Sequence, residues 1–442
     1  MTGLRAGAAR SDITPRLGCH ICGYFNDRIA SDILDPLYAK AVVLDNGHTS
    51  LALVVCDLIA LEKRDVDIAK TEASRLTGIP PENIFLSCTH THYGPASVAA
   101  LGTPRDEPYM ESAMLRIADS VRLAQNRLTP AEAAIATTSV PGETFNRRWH
   151  LRDGRVEANF RLGYQNPDAI RPAGPTDPEL LLLALRDQER RPIALLANYS
   201  LHYVGGPYDT SISADYFGHF DRALQRMAGT PFVGIMANGC CGDVNNIDIT
   251  RPRPDMPYPT FQAERVANVL AGAAYSAWQG LRAYDYDPDP ALGTTTEMIT
   301  FHRRQPTEQE LEQARRLAAQ PKPADDSPDL VPWVYAHELQ YVAAEPLERE
   351  TPIMAWRVGE LGAVGLPGEM FVQYGLQIKQ GSPFKHTMTI ELANDYLGYF
   401  PTDLAMSEGS YELTLARSAK AAAGSEGQVV AAALRALGRL TS

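Results

Sequence analysis

The sequence predicts a mixed α/β (α+β) fold of layered sheets in one large domain spanning 1–442. Three observations carry this prediction. Strand-like and helix-like segments alternate through the first half of the chain, several of the strands are apolar throughout, and a further strand pair returns near the C-terminus. No internal repeat at solenoid or propeller periods interrupts the pattern.

Taken in order, residues 41–45 and 51–56 read as buried strands, the second ending in Cys56-Asp57. Residues 64–76 have helical apolar spacing and stop before Gly78 and the Pro80-Pro81 breaker. Residues 84–88, Ile-Phe-Leu-Ser-Cys, return as a strand. A long amphipathic helix over 109–123 and a strand over 132–140 follow. Residues 180–185 and 193–199 form a strand pair about the polar turn 187–192. Helices are predicted at 215–227 and 261–278, with a strand at 232–236 between them. The aspartate- and proline-rich run 284–290 is a loop, and 320–328 is an exposed segment after a helix over 307–319. Together they predict a subdomain or insertion around 282–350. Residues 353–358 and 361–366 read as a hairpin, and 425–440 as a final helix.

Composition narrows the function. A 45% hydrophobic share with 21% charged residues is that of a globular chain with a sizeable core. The net charge of −12 argues against nucleic acid and against an anionic membrane surface. The N-terminus has no apolar targeting run, and the longest apolar stretches, such as 180–185, are far too short to span a bilayer. A cytoplasmic protein without stable membrane insertion is expected; nothing sets its oligomeric state. Six cysteines are too few for a disulfide scaffold. Cys19 and Cys22 have metal-clip spacing, but the vicinal Cys240-Cys241 is a poor second pair, so free thiols near a pocket are expected.

The chemistry starts at His90-Thr91-His92, directly after the 84–88 strand. In extended backbone, residues two apart share a face, so both imidazoles can enter one pocket as metal ligands or acid–base groups. His202 follows the 193–199 strand in the same way. Glu369, in Gly368-Glu369, stands between a strand and a predicted helix, where N-capping alone would also account for a carboxylate. A catalytic zinc needs such N and O donors and a position left for water or substrate.

Together these residues match a family. The chain resembles the zinc amidase domain of the neutral (non-lysosomal) ceramidases along nearly its whole length. The resemblance is carried by Asp12-Ile13-Thr14-Pro15, Gly23-Tyr24, Asp35 to Ala41, Thr89 to Pro95, Asn146-Arg147, Ile212 to Asp215, Gly368-Glu369 and Asn394 to Tyr399. It implies a zinc ion held by His90, His202, Glu369 and Tyr399, with His92, Arg147 and Tyr411 as the catalytic residues facing the substrate. Asp215 is expected either to orient the His202 ring from behind or to cap the helix that follows.

Two departures matter. Asn245 stands where the family has a serine once assigned as nucleophile, and an amide cannot replace a hydroxyl in that role. About 30 residues follow Tyr411, so the family's C-terminal β-sandwich is not expected. The resemblance implies hydrolysis of an N-acyl amide in a small-molecule or lipid-like substrate. Lactone or ester hydrolysis, a lyase acting on a polar, sugar-acid-like substrate, and a non-catalytic metal-binding role are the alternatives.

Overall fold

The computed structural model describes residues 3–206 and 208–441. Eight strands form one large sheet, in the order Val233–Asn238, Pro192–Tyr199, Glu179–Asp187, Thr129–Ser139, Arg5–Asp12, Tyr38–Asp45, Ser50–Cys56 and Ile84–Cys88. Its inner pairs are antiparallel, and only the outermost pair at each edge is parallel. A parallel pair needs a crossover, and each has a helix. Lys63–Thr77 joins one pair and Asp215–Ala228 the other. The loops that carry the histidines leave these two units at strand ends.

A second sheet, in the order Leu292–His302, Glu348–Val358, Leu361–Gly365 and His386–Ile390, packs face to face on the first. Helices cover both outer faces, giving four layers. This explains the unbroken apolar run of Glu179–Asp187. Leu181, Leu183 and Leu185 point into the core between the sheets, while Leu180, Leu182 and Ala184 meet the helices Asp215–Ala228 and Phe261–Gly280. A strand buried on both faces cannot alternate with polar residues. Trp356 and Phe85 meet edge to face across the sheets, with centroids 6.3 Å apart.

The large sheet bends until its two edges approach. Asn238 Nδ2, at one edge, donates to Thr89 O, beyond the other, at 2.8 Å. Residues 391–394 stitch this seam: Glu391 N donates to Asn238 O and Asn394 N to Leu86 O. Leu392 and Asn394 take left-handed backbone, at φ 55° and 62°, to make the turn.

The strand Arg5–Asp12 shows no strand signal in the sequence, yet it pairs with Tyr38–Asp45 along its full length near the sheet's centre. Its composition, Arg-Ala-Gly-Ala-Ala, answers to packing. A Cβ at Gly7 would lie 2.2 Å from Ala124 O, so the helix Glu107–Asn126 sits almost on the backbone. All six cysteines are buried free thiols. Among the described residues, no helix is long and apolar enough to cross a membrane.

Candidate metal centre

His90 and His92 converge, but not through extended backbone. His90 has φ 67°, a left-handed conformation that costs a non-glycine residue on the order of 1–3 kcal/mol. Its amide donates to Leu58 O, which fixes the turn as the chain leaves the strand. The two ring centroids are 4.7 Å apart, and His202 arrives from the opposite edge of the sheet to 4.5 Å from His90. The seam therefore assembles the site.

The ring contacts decide what the cluster presents. His90 Nδ1 lies 2.8 Å from Ile59 O, and His92 Nδ1 lies 3.0 Å from Gly23 O. A carbonyl only accepts, so each Nδ1 carries the ring proton and each Nε2 offers a lone pair. His202 is held by the Cys241 backbone, with its Nδ1 3.8 Å from Cys241 Sγ. Burial, then the neighbouring His90 ring, holds His92 and His202 well below the ordinary imidazole value, so both are neutral at neutral pH. Gly23 is required here: at φ 106°, a Cβ on it would stand 2.5 Å from His92 Nδ1.

Glu369 completes the cluster. Its Oε2 stands 3.2 Å from His90 Nε2 and 3.9 Å from His202 Nε2, and it is buried without a hydrogen-bond partner. Tyr396 donates to the other oxygen at 2.8 Å. Burial works to raise this carboxyl, but His90 and hydrogen bonds from Tyr396 and Tyr399 outweigh it and keep it below the usual carboxylate range. The Nε2 atoms of His90 and His92 are 3.2 Å apart. Lone pairs and a carboxylate thus face one another with no proton assigned between them. A cation resolves that arrangement, and imidazole with carboxylate is a donor set that suits zinc. Two sets share His90 and His202: one adds His92, whose ring nitrogen lies within 4.8 Å of the other two, and one adds Glu369.

The remaining expected residues lie beside this cluster. Tyr399 OH is 2.7 Å from Tyr411 OH. Arg147 donates through Nε to Glu412 Oε1 at 2.8 Å and through Nη2 to Gly242 O at 2.6 Å, with Tyr411 OH 3.4 Å away. Burial pushes the Tyr411 phenol up to about 12, so it is a neutral donor at neutral pH. A cavity of about 420 Å³ opens at this point, with His92, Arg147, His202 and Tyr411 on its wall.

Asn245 also lines that cavity, and both ends of its amide are engaged. It exchanges hydrogen bonds with Asn159 at 2.8 and 3.0 Å and accepts from Ile247 N. Tyr203 was not singled out in the sequence, although it directly follows His202. Its ring stacks on His92, with centroids 3.8 Å apart and 16° between planes, and its hydroxyl donates to Tyr24 OH at 3.3 Å. Tyr396 falls inside the segment that resembles the family, but only its bond to Glu369 reveals a role.

The expectation for Asp215 is corrected. Its carboxylate accepts from Val204 N at 3.1 Å and Gly205 N at 2.7 Å, so it holds the backbone after His202 rather than the ring. It is fully buried with φ 52°. Asp215→Asn turns one of those acceptors into a donor, and a loss of about 1–3 kcal/mol is expected in denaturant unfolding. Unchanged stability would show that these bonds do not hold the loop.

No protein-family model matches the chain. It is 23% identical to the neutral ceramidase of Mycobacterium tuberculosis over 479 aligned positions, covering 92% of this chain and 73% of that protein. The solved neutral ceramidase from Pseudomonas aeruginosa superposes with a TM-score of 0.75 at 18% identity, over 99% of this chain and 75% of that one. A solved ceramidase complexed with C2 gives 0.74 at 17% identity, over 100% and 76%. In sequence and in fold, then, the chain is similar to neutral ceramidases along nearly all of its length.

Proposed function

We propose that the chain is a zinc-dependent hydrolase of an amide bond in an N-acylated, lipid-like or small-molecule substrate. The observation that carries this reading is the buried, unpartnered Glu369 Oε2 aimed at the Nε2 atoms of His90 and His202, beside an open cavity. His90, His202, Glu369 and Tyr399 would hold the metal. Zinc there supplies Lewis acidity for a carbonyl and acidifies water at neutral pH. His92 reaches the cavity with its proton on Nδ1, so its Nε2 is a proton acceptor first. It takes a proton from the attacking water and then, as the imidazolium, donates to the developing oxyanion or to the leaving amine. Arg147 is pinned by Glu412 and Gly242 and keeps its charge despite burial. Arg147 and Tyr411 steady the same oxyanion.

The ligand assignment has a direct test. His92→Ala is expected to keep about one zinc per chain while activity falls about 10²–10⁴-fold, the usual contribution of a general acid–base group. Loss of zinc from this variant would place His92 in the donor set. A second expectation concerns chemistry. With Asn245 in the serine position, no burst and no acyl-enzyme adduct is expected by rapid mixing and intact-mass measurement. An adduct on any residue would overturn direct attack by water. Product analysis separates hydrolysis from elimination, since only hydrolysis incorporates labelled water.

A further inference from the structure

The strands Leu292–His302 and Glu348–Val358 pair along their whole length, with His302 opposite Glu348. The chain between them is not a tight turn. Residues 303–347 run out as two helices, Glu308–Ala318 and Leu330–Ala344, and the second reaches the back of the cavity wall. Glu338, only 1% exposed, accepts hydrogen bonds from Leu101 N at 2.8 Å and from Arg417 N, Nε and Nη2 at 3.1, 2.9 and 2.6 Å. One turn earlier, Tyr335 packs on Phe25 with centroids 5.4 Å apart, and its hydroxyl bonds Thr414. Phe25 and Leu101 line the cavity. Leu101 has φ 51°, so the Glu338 bond holds a conformation that leucine alone disfavours. Further ties clamp the segment after Tyr411: Arg304 donates to Leu413 O and Ala419 O at 2.8 and 2.7 Å, and Lys420 pairs with Glu345 at 2.6 Å.

We propose that the 303–347 segment sets the length of acyl chain the cavity accepts, with Tyr335 and Glu338 as the specificity-determining residues behind a Phe25–Leu101 wall. This rests on the hydrolase reading only in giving the cavity to the acyl group. At about 420 Å³, the cavity is near the lower end of the roughly 300–1,000 Å³ typical of ligand pockets, and the Phe25–Leu101 wall bounds it on this side. Protein interiors are close-packed, and a side chain that backs a wall therefore limits volume as firmly as one on its surface. Removing the Tyr335 ring leaves space into which Phe25 can retreat.

Straight-chain carboxylates, the acyl product of amide hydrolysis, report chain length without turnover. Binding of acetate, butyrate, octanoate, dodecanoate and palmitate to the zinc-loaded protein is measured by calorimetry. The wild type should favour the short members. Tyr335→Ala should raise the dodecanoate-to-butyrate affinity ratio about tenfold or more, since a single methylene in an apolar pocket changes discrimination by about that factor. Glu338→Gln should move the ratio the same way by less, and Tyr335→Leu serves if the alanine variant does not fold. Trp333→Ala, whose ring packs at a tilt on His337 with centroids 4.2 Å apart, should leave the ratio unchanged. An unchanged ratio in a Tyr335 variant with wild-type Tm and zinc content would overturn the proposal. So would wild-type protein that binds palmitate as well as butyrate. Absence of amide hydrolysis would instead count against the hydrolase reading, because the carboxylate series does not depend on it.

Discussion

Replacing His90 with alanine is expected to remove stoichiometric zinc and catalytic activity together, the largest functional effect of any single change in this chain. His90 Nε2 stands 3.2 Å from Glu369 Oε2 and 3.2 Å from His92 Nε2, so no other side chain can take its place in the cluster. Its loss also changes Glu369. The carboxyl is held below the usual range chiefly by His90, against a burial cost that acts the other way. Without the imidazole, Glu369 loses a neighbour that offsets its burial. Zinc per chain, measured by elemental analysis, should fall from about one to near zero, and hydrolysis of an N-acyl amide panel should fall to background. Chelation supplies an independent measurement. Metal held at a thousandfold above its Kd stabilises by about 4 kcal/mol, so chelator should lower the Tm of the wild type and leave that of His90→Ala unmoved. Full activity in zinc-free wild type would overturn the assignment.

The sequence made some of this legible for a simple physical reason. His90 and His202 each follow an apolar strand directly, and strand ends are where a layered fold opens to solvent and substrate. The leucine run of Glu179–Asp187 likewise marks a strand covered on both faces. Other features have no local signal. Nothing near Ile84–Cys88 announces that the sheet bends to meet its far edge, yet that bend brings His202 to His90. The strand Arg5–Asp12 lacks β-branched residues because a helix lies against Gly7. The helix Leu330–Ala344 lacks an amphipathic stripe, since Leu330, Val334 and Glu338 are buried together while Tyr341 is exposed. Tyr399 and Tyr411 came from resemblance to a family. A tyrosine carries no metal signature of its own; the fold joins Tyr399 to the site through Glu369 and Tyr411 through Arg147 and the 2.7 Å contact between the two hydroxyls.

Arg147 carries the largest expected effect on stability. Its guanidinium and the Glu412 carboxylate are 4% and 0% exposed, and Glu412 Oε2 is buried without a partner. Arg147→Met therefore strands a buried carboxylate whose one strong bond has gone. Breaking such a pair from one side costs about 3–5 kcal/mol, and a loss of that size is expected in urea unfolding. Glu412→Gln should cost less, because Arg147 keeps Gly242 O and the faces of Tyr399 and Tyr411, 5.3 and 5.2 Å from its Cζ. The double variant Arg147→Met/Glu412→Gln separates stability from chemistry. It removes both charges at once, so most of the stability lost in Arg147→Met should return, and the coupling in the cycle measures the pair. Activity should not return, because the guanidinium 3.4 Å from the Tyr411 hydroxyl is gone, and a deficit of about 10²–10³-fold should persist. A double variant that regained activity along with stability would reduce Arg147 to a packing role. A single Arg147→Met variant of wild-type stability would mean that the pair with Glu412 does not hold this part of the fold together.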